Sequence, residues 1–197
     1  MIAGVGAGYL RSEFSAVGVD FDRRAELFDE ALGALWSIWV DPDRPVSGAD
    51  FEAPDPVWLQ SPTQRPHPPI WIGGNGKAAL RRVIEYGSGW MPIIAPAGMA
   101  SVIRTAAIEN ARQFAGAIDQ LKDQMDEAGR DPSSLDVQVV CPPIDLDDDA
   151  SLQHACDVLD ELAGFGANWA VVQVDGSNPQ AASDFIKAFR EAVIATG

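Results

Sequence analysis

The chain has 197 residues, 47% hydrophobic and 22% charged, with 14 Lys+Arg against 29 Asp+Glu and a formal net charge of -15. It is too apolar for a disordered chain and long enough to bury a core, so one globular domain over residues 1–197 is predicted. So acidic a surface repels phosphate backbones and anionic lipid, which argues against nucleic-acid and membrane partners, and no apolar run approaches the ~20 residues of a bilayer span.

The opening stretch Met1–Gly8 is an apolar, glycine-rich run that predicts a buried strand. Its glycines Gly4, Gly6 and Gly8 do not make a dinucleotide fingerprint, because the third glycine would fall at Tyr9 and the next helical stripe begins only near Arg23. That stripe runs through Leu27, Phe28, Ala31, Leu32, Leu35, Ile38 and Trp39, with Asp22 as the expected N-cap. No basic region precedes the first apolar residues, so no signal peptide is read there and a reducing cytoplasm is the expected compartment.

Asp41–Pro69 is dense in proline and has no helical period, which predicts a long excursion loop or a partly extended cover. A second strand, Pro69–Gly73, leads into Gly73-Gly74-Asn75-Gly76-Lys77 and then into a helix. Asn75 is the expected cap, Ala79, Val83 and Ile84 face inward, and Gly87 closes the helix. This is not a Walker A loop, since Trp71 and Ala78 occupy its glycine and hydroxyl positions. Free N–H groups at such a helix start form an anion site, to which Lys77 or Arg81 could add charge. A tight turn that needs glycine for positive φ is the competing reading.

A third strand, Gly89–Ile94, carries Trp90 and Met91, and a long helical region runs from Met99 to Ala128 with a break expected near Gly116. Gly129 and Pro132 end it. Strand Asp136–Cys141 follows, then the acidic Asp145–Asp149, which lacks the EF-hand order and reads as a solvated approach to helix Ser151–Leu162. Strand Asn168–Val174 and helix Gln180–Ala195 complete the chain. The strands read as continuous apolar runs, as in parallel sheets covered on both faces, so five alternating strand–helix units predict an α/β fold with right-handed crossovers.

Cys141, Cys156, His67 and His154 have no metal-ligand spacing, so no metal is expected. No Ser-His-Asp, Cys-His or paired-carboxylate arrangement assembles, so no catalytic residue is named. Tyr9 and Trp90, each on or just after a strand, are aromatics that could flank a flat ring or simply belong to the core.

Three stretches together, residues 4–39 (GVGAGYLRSEFSAVGVDF…), 65–90 (RPHPPIWIGGNGKAAL…) and 121–139 (LKDQMDEAGRDPSSLDVQV), with FGANWAVVQV after them, resemble the luciferase-like monooxygenase superfamily. Its members are flavin- or F420-dependent (β/α)8-barrel oxidoreductases. The resemblance implies a partial TIM-type barrel, five parallel βα units equivalent to strands four to eight, from a chain with a truncated or misassigned start. Five strands cannot close an eight-stranded barrel, so a homo-oligomer or partner chain covering open sheet edges is expected. By the same resemblance, backbone amides of Ile72, Gly73, Gly74, Asn75 and Gly76 would hold the cofactor phosphate. Gly6, Gly8, Tyr9 and Trp90 would lie at the ring. The implied activity is F420- or FMN-dependent hydride transfer or oxygenation of a small organic substrate. The absence of an arginine near Ala7 favours F420 over FMN. Tyr9, where F420-dependent sugar-phosphate dehydrogenases carry a glutamate, argues against sugar-phosphate oxidation. The other reading is an inactive barrel remnant that binds flavin or dimerises.

Overall fold

A computed structural model describes residues 1–41, 43, 45–53 and 61–194. The chain begins with strand β1 (Ala3–Val5), a short helix α1 (Arg11–Ala16) and a longer helix α2 (Arg24–Val40). Next comes a small antiparallel hairpin of β2 (Val46–Ser47) and β3 (Glu52–Ala53). Beyond it lie β4 (Ile70–Gly73), α3 (Lys77–Glu85), β5 (Gly89–Met91), α4 (Ala97–Val102), α5 (Ala111–Glu127), β6 (Asp136–Val140), α6 (Asp149–Gly164), β7 (Trp169–Val171) and α7 (Pro179–Phe189). Five strands pair in the order β1-β4-β5-β6-β7, and every pairing is parallel. This is the predicted α/β fold with a five-stranded parallel sheet.

The alternation of side chains along β4, β5 and β6 splits their residues between two environments. Ile70, Ile72, Trp90, Val137 and Val139 join Val83, Phe114, Ile118, Leu121, Met125 and Leu162 in one buried cluster beneath α3, α5 and α6. Trp90 stacks on Phe114 with ring centroids 6.3 Å apart. The other face carries Trp71, Gly89 and Asp136 in one row, set by the register Trp71↔Gly89↔Asp136. A Cβ on Gly89 would lie 2.3 Å from Trp71 Cδ1, so glycine is what lets this indole lie flat. Trp169 packs edge-on against Trp71 and donates Nε1–H to Asp136 at 3.1 Å. Val140, Trp169 and Val171 remain about half exposed on this second face, while β4 and β5 are nearly buried throughout.

Several boundaries depart from expectation. Helix α2 starts behind a 3-10 turn (Phe21–Arg23) capped by Asp20, whose carboxylate accepts the Asp22 N–H at 2.9 Å. Asp22 does not cap the helix, since Arg11 takes both of its oxygens, at 2.6 and 3.0 Å. Only Leu32 of the predicted stripe on α2 is fully buried. The expected helix over Met99–Ala128 divides at residues 103–110 and not at Gly116, which sits inside α5. There Arg104 adopts φ 57°, Ala95 bridges Ile108, and Asn110 caps α5 by accepting the Gln113 N–H. The proline-rich excursion folds back on α2 through its hairpin, with the Ala49 N–H on Glu30 and Arg23 paired with Asp50. Residues 42, 44 and 54–60 of that excursion, and Ala195 at the end of the last expected helix, lie outside the described residues.

Candidate cofactor site

Parallel strands all end on one side of a sheet, and ligands gather there because loops and helix starts converge. A cavity of about 460 Å³ occupies that side here. The turn after β1 (Gly6–Tyr9), the turn after β4 (Gly73, Gly74, Gly76) and Met91, Pro92 and Ile93 at the end of β5 line it. Gln138 and Val140 of β6 add the floor, and Arg24, Arg82, Arg104 and Thr105 reach it from surrounding segments. Its volume falls in the usual range for small-molecule sites, roughly 300–1,000 Å³.

The β4–α3 turn is held from behind. The Asn75 side chain is buried, donates Nδ2–H to the carbonyls of Ile93 and Ala106 at 2.8 Å each, and accepts the Ile93 N–H at 2.9 Å. Trp90 adds an indole N–H to the Gly74 carbonyl at 2.8 Å. Gly74 has φ 110°, a conformation reserved in practice for glycine. Two of the amides expected to face an anion are already satisfied: Gly74 N–H by the Met91 carbonyl at 3.2 Å, and Asn75 N–H by the Thr105 hydroxyl at 2.8 Å. The N-cap of α3 is Gly76 and not Asn75, whose side chain is consumed by the loop. The first amides of a helix have no intrahelical acceptor, and those of Gly76, Lys77 and Ala78 have no partner among the described residues. Gly76 and Ala78 line the cavity, so the open donors lie at 76–78, a short step beyond the predicted 73–76.

Cations gather at the same end of a strongly acidic chain. Buried Phe21 is surrounded by the guanidiniums of Arg24, Arg11 and Arg104 at 4.0, 4.5 and 5.0 Å from its ring centroid. Arg11 pairs directly with Asp22, whereas Arg24 holds the Phe21 carbonyl and Arg104 makes no ion pair within 4 Å among the described residues, Asp22 acting on both only through space. Arg24 and Arg104 therefore bring positive charge to the cavity. Arg82, 4% exposed, is a clamp between α2 and α3: Nε–H meets Asp29 at 2.6 Å and Nη2–H meets the Ala25 carbonyl at 2.9 Å. Burial works against the Asp29 carboxylate, but the hydrogen bonds from Arg82 and Arg81 outweigh it and hold its pKa below the usual value. Arg81 pairs with Asp29 and Glu85 and does not reach this cavity, and neither does Lys77, which lines an outer cleft with Arg81 and Gln124.

Of the residues expected to hold a cofactor, Gly6, Gly8, Tyr9, Gly73, Gly74 and Gly76 stand on the cavity wall. Ile72, Asn75 and Trp90 do not. Ile72 and Trp90 are 0% exposed because strand alternation turns them toward the helices, and Met91 takes the cavity position instead. Arg24, Arg104, Thr105 and Gln138 were missed. Arg104 and Thr105 fall where a continuous helix was expected, and Gln138 was legible only as the polar residue between Val137 and Val139. No group of three or more His, Cys, Asp or Glu residues among those described could hold a metal ion. No helix among the described residues is long and apolar enough to cross a membrane. Cys141 and Cys156 are free thiols, the first buried and with its pKa pushed up by that burial.

A parallel sheet whose strand ends meet a glycine-lined cavity, with open amides at the start of α3 and arginines on the cavity wall, defines a candidate small-molecule site. The luciferase-like monooxygenase family model matches residues 1–191, so the chain belongs to that family. An FMNH2-dependent dimethylsulfone monooxygenase of Pseudomonas putida is 33% identical over 76 residues, covering 37% of this chain and 21% of that protein. An uncharacterised protein of Sinorhizobium fredii is 32% identical over 101 residues, covering 51% of this chain and 28% of that one. These matches thus span less than a third of the curated relatives' lengths. Among solved structures, the monooxygenase RslO1 of Streptomyces bottropensis superposes with a TM-score of 0.70 at 18% identity, over 99% of this chain and 68% of that one. The F420-dependent tetrahydromethanopterin reductase of Methanopyrus kandleri gives 0.68 at 14% identity, over 99% and 74%. At such identities the superpositions show the fold.

Proposed function

We propose that the cavity binds a flavin-type cofactor, F420 or FMN, and that the protein is an oxidoreductase acting on a small organic substrate by hydride transfer or oxygenation. The observation that carries this reading is the junction of two features: unpaired amides at 76–78 with Arg24 and Arg104, and an apolar, glycine-lined space over the strand ends. Free N–H groups and the positive end of the α3 dipole suit a phosphate, and the glycines admit a bulky group close to backbone. The residues present therefore fit the group. When bound, the tricyclic ring supplies the two-electron chemistry; the chain supplies position and dielectric.

The division of labour among residues arises from their surroundings. Gly76, Lys77 and Ala78 donate backbone N–H groups to the anionic tail, and Arg24 and Arg104 offset its charge. Thr105, whose oxygen already accepts the Asn75 N–H, retains a hydroxyl proton to donate. Met91, Pro92 and Ile93 exclude water from the space above β5. Tyr9, 41% exposed at the rim, offers an O–H donor. Arg24 and Arg104 also supply the cations missing beside Ala7, which removes the ground for preferring F420, so both cofactors enter the test. The half-exposed Val140, Trp169 and Val171 support a partial-barrel reading in which further strands or a partner chain cover that face, which light scattering on the purified protein would measure.

Fluorescence titration with FMN and with F420 tests the reading, followed by turnover assays with hydride donors and oxygen. Saturable binding of one cofactor with turnover is expected. Binding without turnover would favour an inactive remnant, and no binding of either would overturn the assignment.

A further inference from the structure

We propose that Gln138 is a positioning residue that recognises the planar ring itself, by accepting a hydrogen bond from its imide N–H; this rests on the cofactor reading above. Val137 and Val139 point into the helix-covered core, so Gln138 between them points to the opposite face, where it lines the cavity. Its Nε2–H donates to the Val139 carbonyl at 2.9 Å. A carbonyl can only accept, so the atom against it must be the amide nitrogen, and the orientation of the side chain is chemically fixed. Oε1 is left without a partner among the described residues. What Gln138 offers a ligand is therefore a free acceptor, Oε1, beside one remaining N–H.

The placement matches that chemistry. Strands β4, β5 and β6 are consecutive neighbours, so Gln138 stands two strand spacings, about 10 Å, across the sheet from Gly73 and the open amides beyond it. Met91 on β5 lies between them and is apolar. A ligand that fits has an anion at one end, a flat apolar body, and an N–H or O–H edge at the other. Flavin and 5-deazaflavin both present a ring imide N–H, and in both it is flanked by carbonyls that a glutamine N–H would attract. Oε1 can accept the imide proton, while the second Nε2–H, not used by Val139, is free to meet one of the flanking carbonyls.

The test compares FMN and F420 with the N3-methyl derivative of each by equilibrium titration, using the cofactor the wild type binds. Wild type should prefer the imide N–H form at least about tenfold. Gln138→Met, which keeps length and removes the acceptor, should bind the N–H form about tenfold more weakly and lose the preference to within about twofold. Gln138→Glu, which keeps an acceptor, should retain it. Equal affinity of wild type for methylated and unmethylated forms would overturn the proposal, and that comparison needs no variant. So would an unchanged preference in a folded Gln138→Met protein. Failure of wild type to bind either parent cofactor would instead strike the cofactor reading, a result distinct from both.

Discussion

The turns after β1 and β4 look alike in sequence, each rich in glycine at the end of a strand, yet only after β4 do open amides of a helix start line the cavity. After β4 the chain enters the nine-residue helix α3 at once, and three amides at its start are left open. Behind them Asn75, Trp90 and Thr105 fix the backbone. After β1 the chain makes the six-residue helix α1, without a side-chain cap, and Gly8 at φ 73° folds against Phe14. In the proposed reading the β4 turn is the binding element and the β1 turn a wall. Glycine content does not separate them; the helix that each turn feeds does.

The largest way to break this comparison is to remove the support behind the β4 turn. Asn75→Leu removes the two donated bonds and one accepted bond of a buried side chain, releasing the Ile93 N–H and the Ile93 and Ala106 carbonyls. A loss of about 2–4 kcal/mol in urea unfolding is expected, and a loss under about 1 kcal/mol would show that the turn does not depend on it. Next comes the cationic side: the Arg24→Ala, Arg104→Ala double variant should bind the cofactor at least about 30-fold more weakly and with a shallower salt dependence.

Gly8→Ala places a Cβ 2.8 Å from Phe14 Cε2 at positive φ and should cost about 1–2 kcal/mol of stability, seen as a lower unfolding midpoint. Gly76→Ala, at φ -74° with open space around the new Cβ, should cost only about 0.5 kcal/mol. Reversed magnitudes would mean that the roles of the two turns have been exchanged. The smallest effect concerns the clamp between α2 and α3. Asp29 has a folded-state pKa below its unfolded value, so its contribution is present above about pH 4 and is lost as the pH falls through the lower, folded value. Asp29→Asn should thus be less stable at neutral pH, and its stability should fall less steeply in that acid window.

The sheet was legible because its strands are continuous apolar runs bounded by Gly, Pro and Asn, although only β4 and β5 are nearly buried throughout and β7 is exposed along its length. The helix starts were less so. Asp20 and Asp22 are both good caps two residues apart, and only the bidentate grip of Arg11 on Asp22 decides between them. The split between α4 and α5 depends on a single residue at positive φ and on a bridge from Ala95 to Ile108, neither of which has a periodic signal. The site divided similarly. Its glycines announced themselves, while Trp90 and Met91 swapped roles because a strand's facing is set by its neighbours. Arg24 and Arg104, distant in sequence, are brought together over the ring of Phe21.

The central claim is that the anionic tail of the cofactor rests on the start of α3. The direct measurement is the affinity of each cofactor beside its counterpart without phosphate, FMN against riboflavin and F420 against its ribityl-deazaflavin core, at low salt. The phosphorylated member of the pair that binds should be held at least about tenfold more tightly, and the difference should collapse in the Arg24→Ala, Arg104→Ala variant. Equal affinity with and without the phosphate would contradict it.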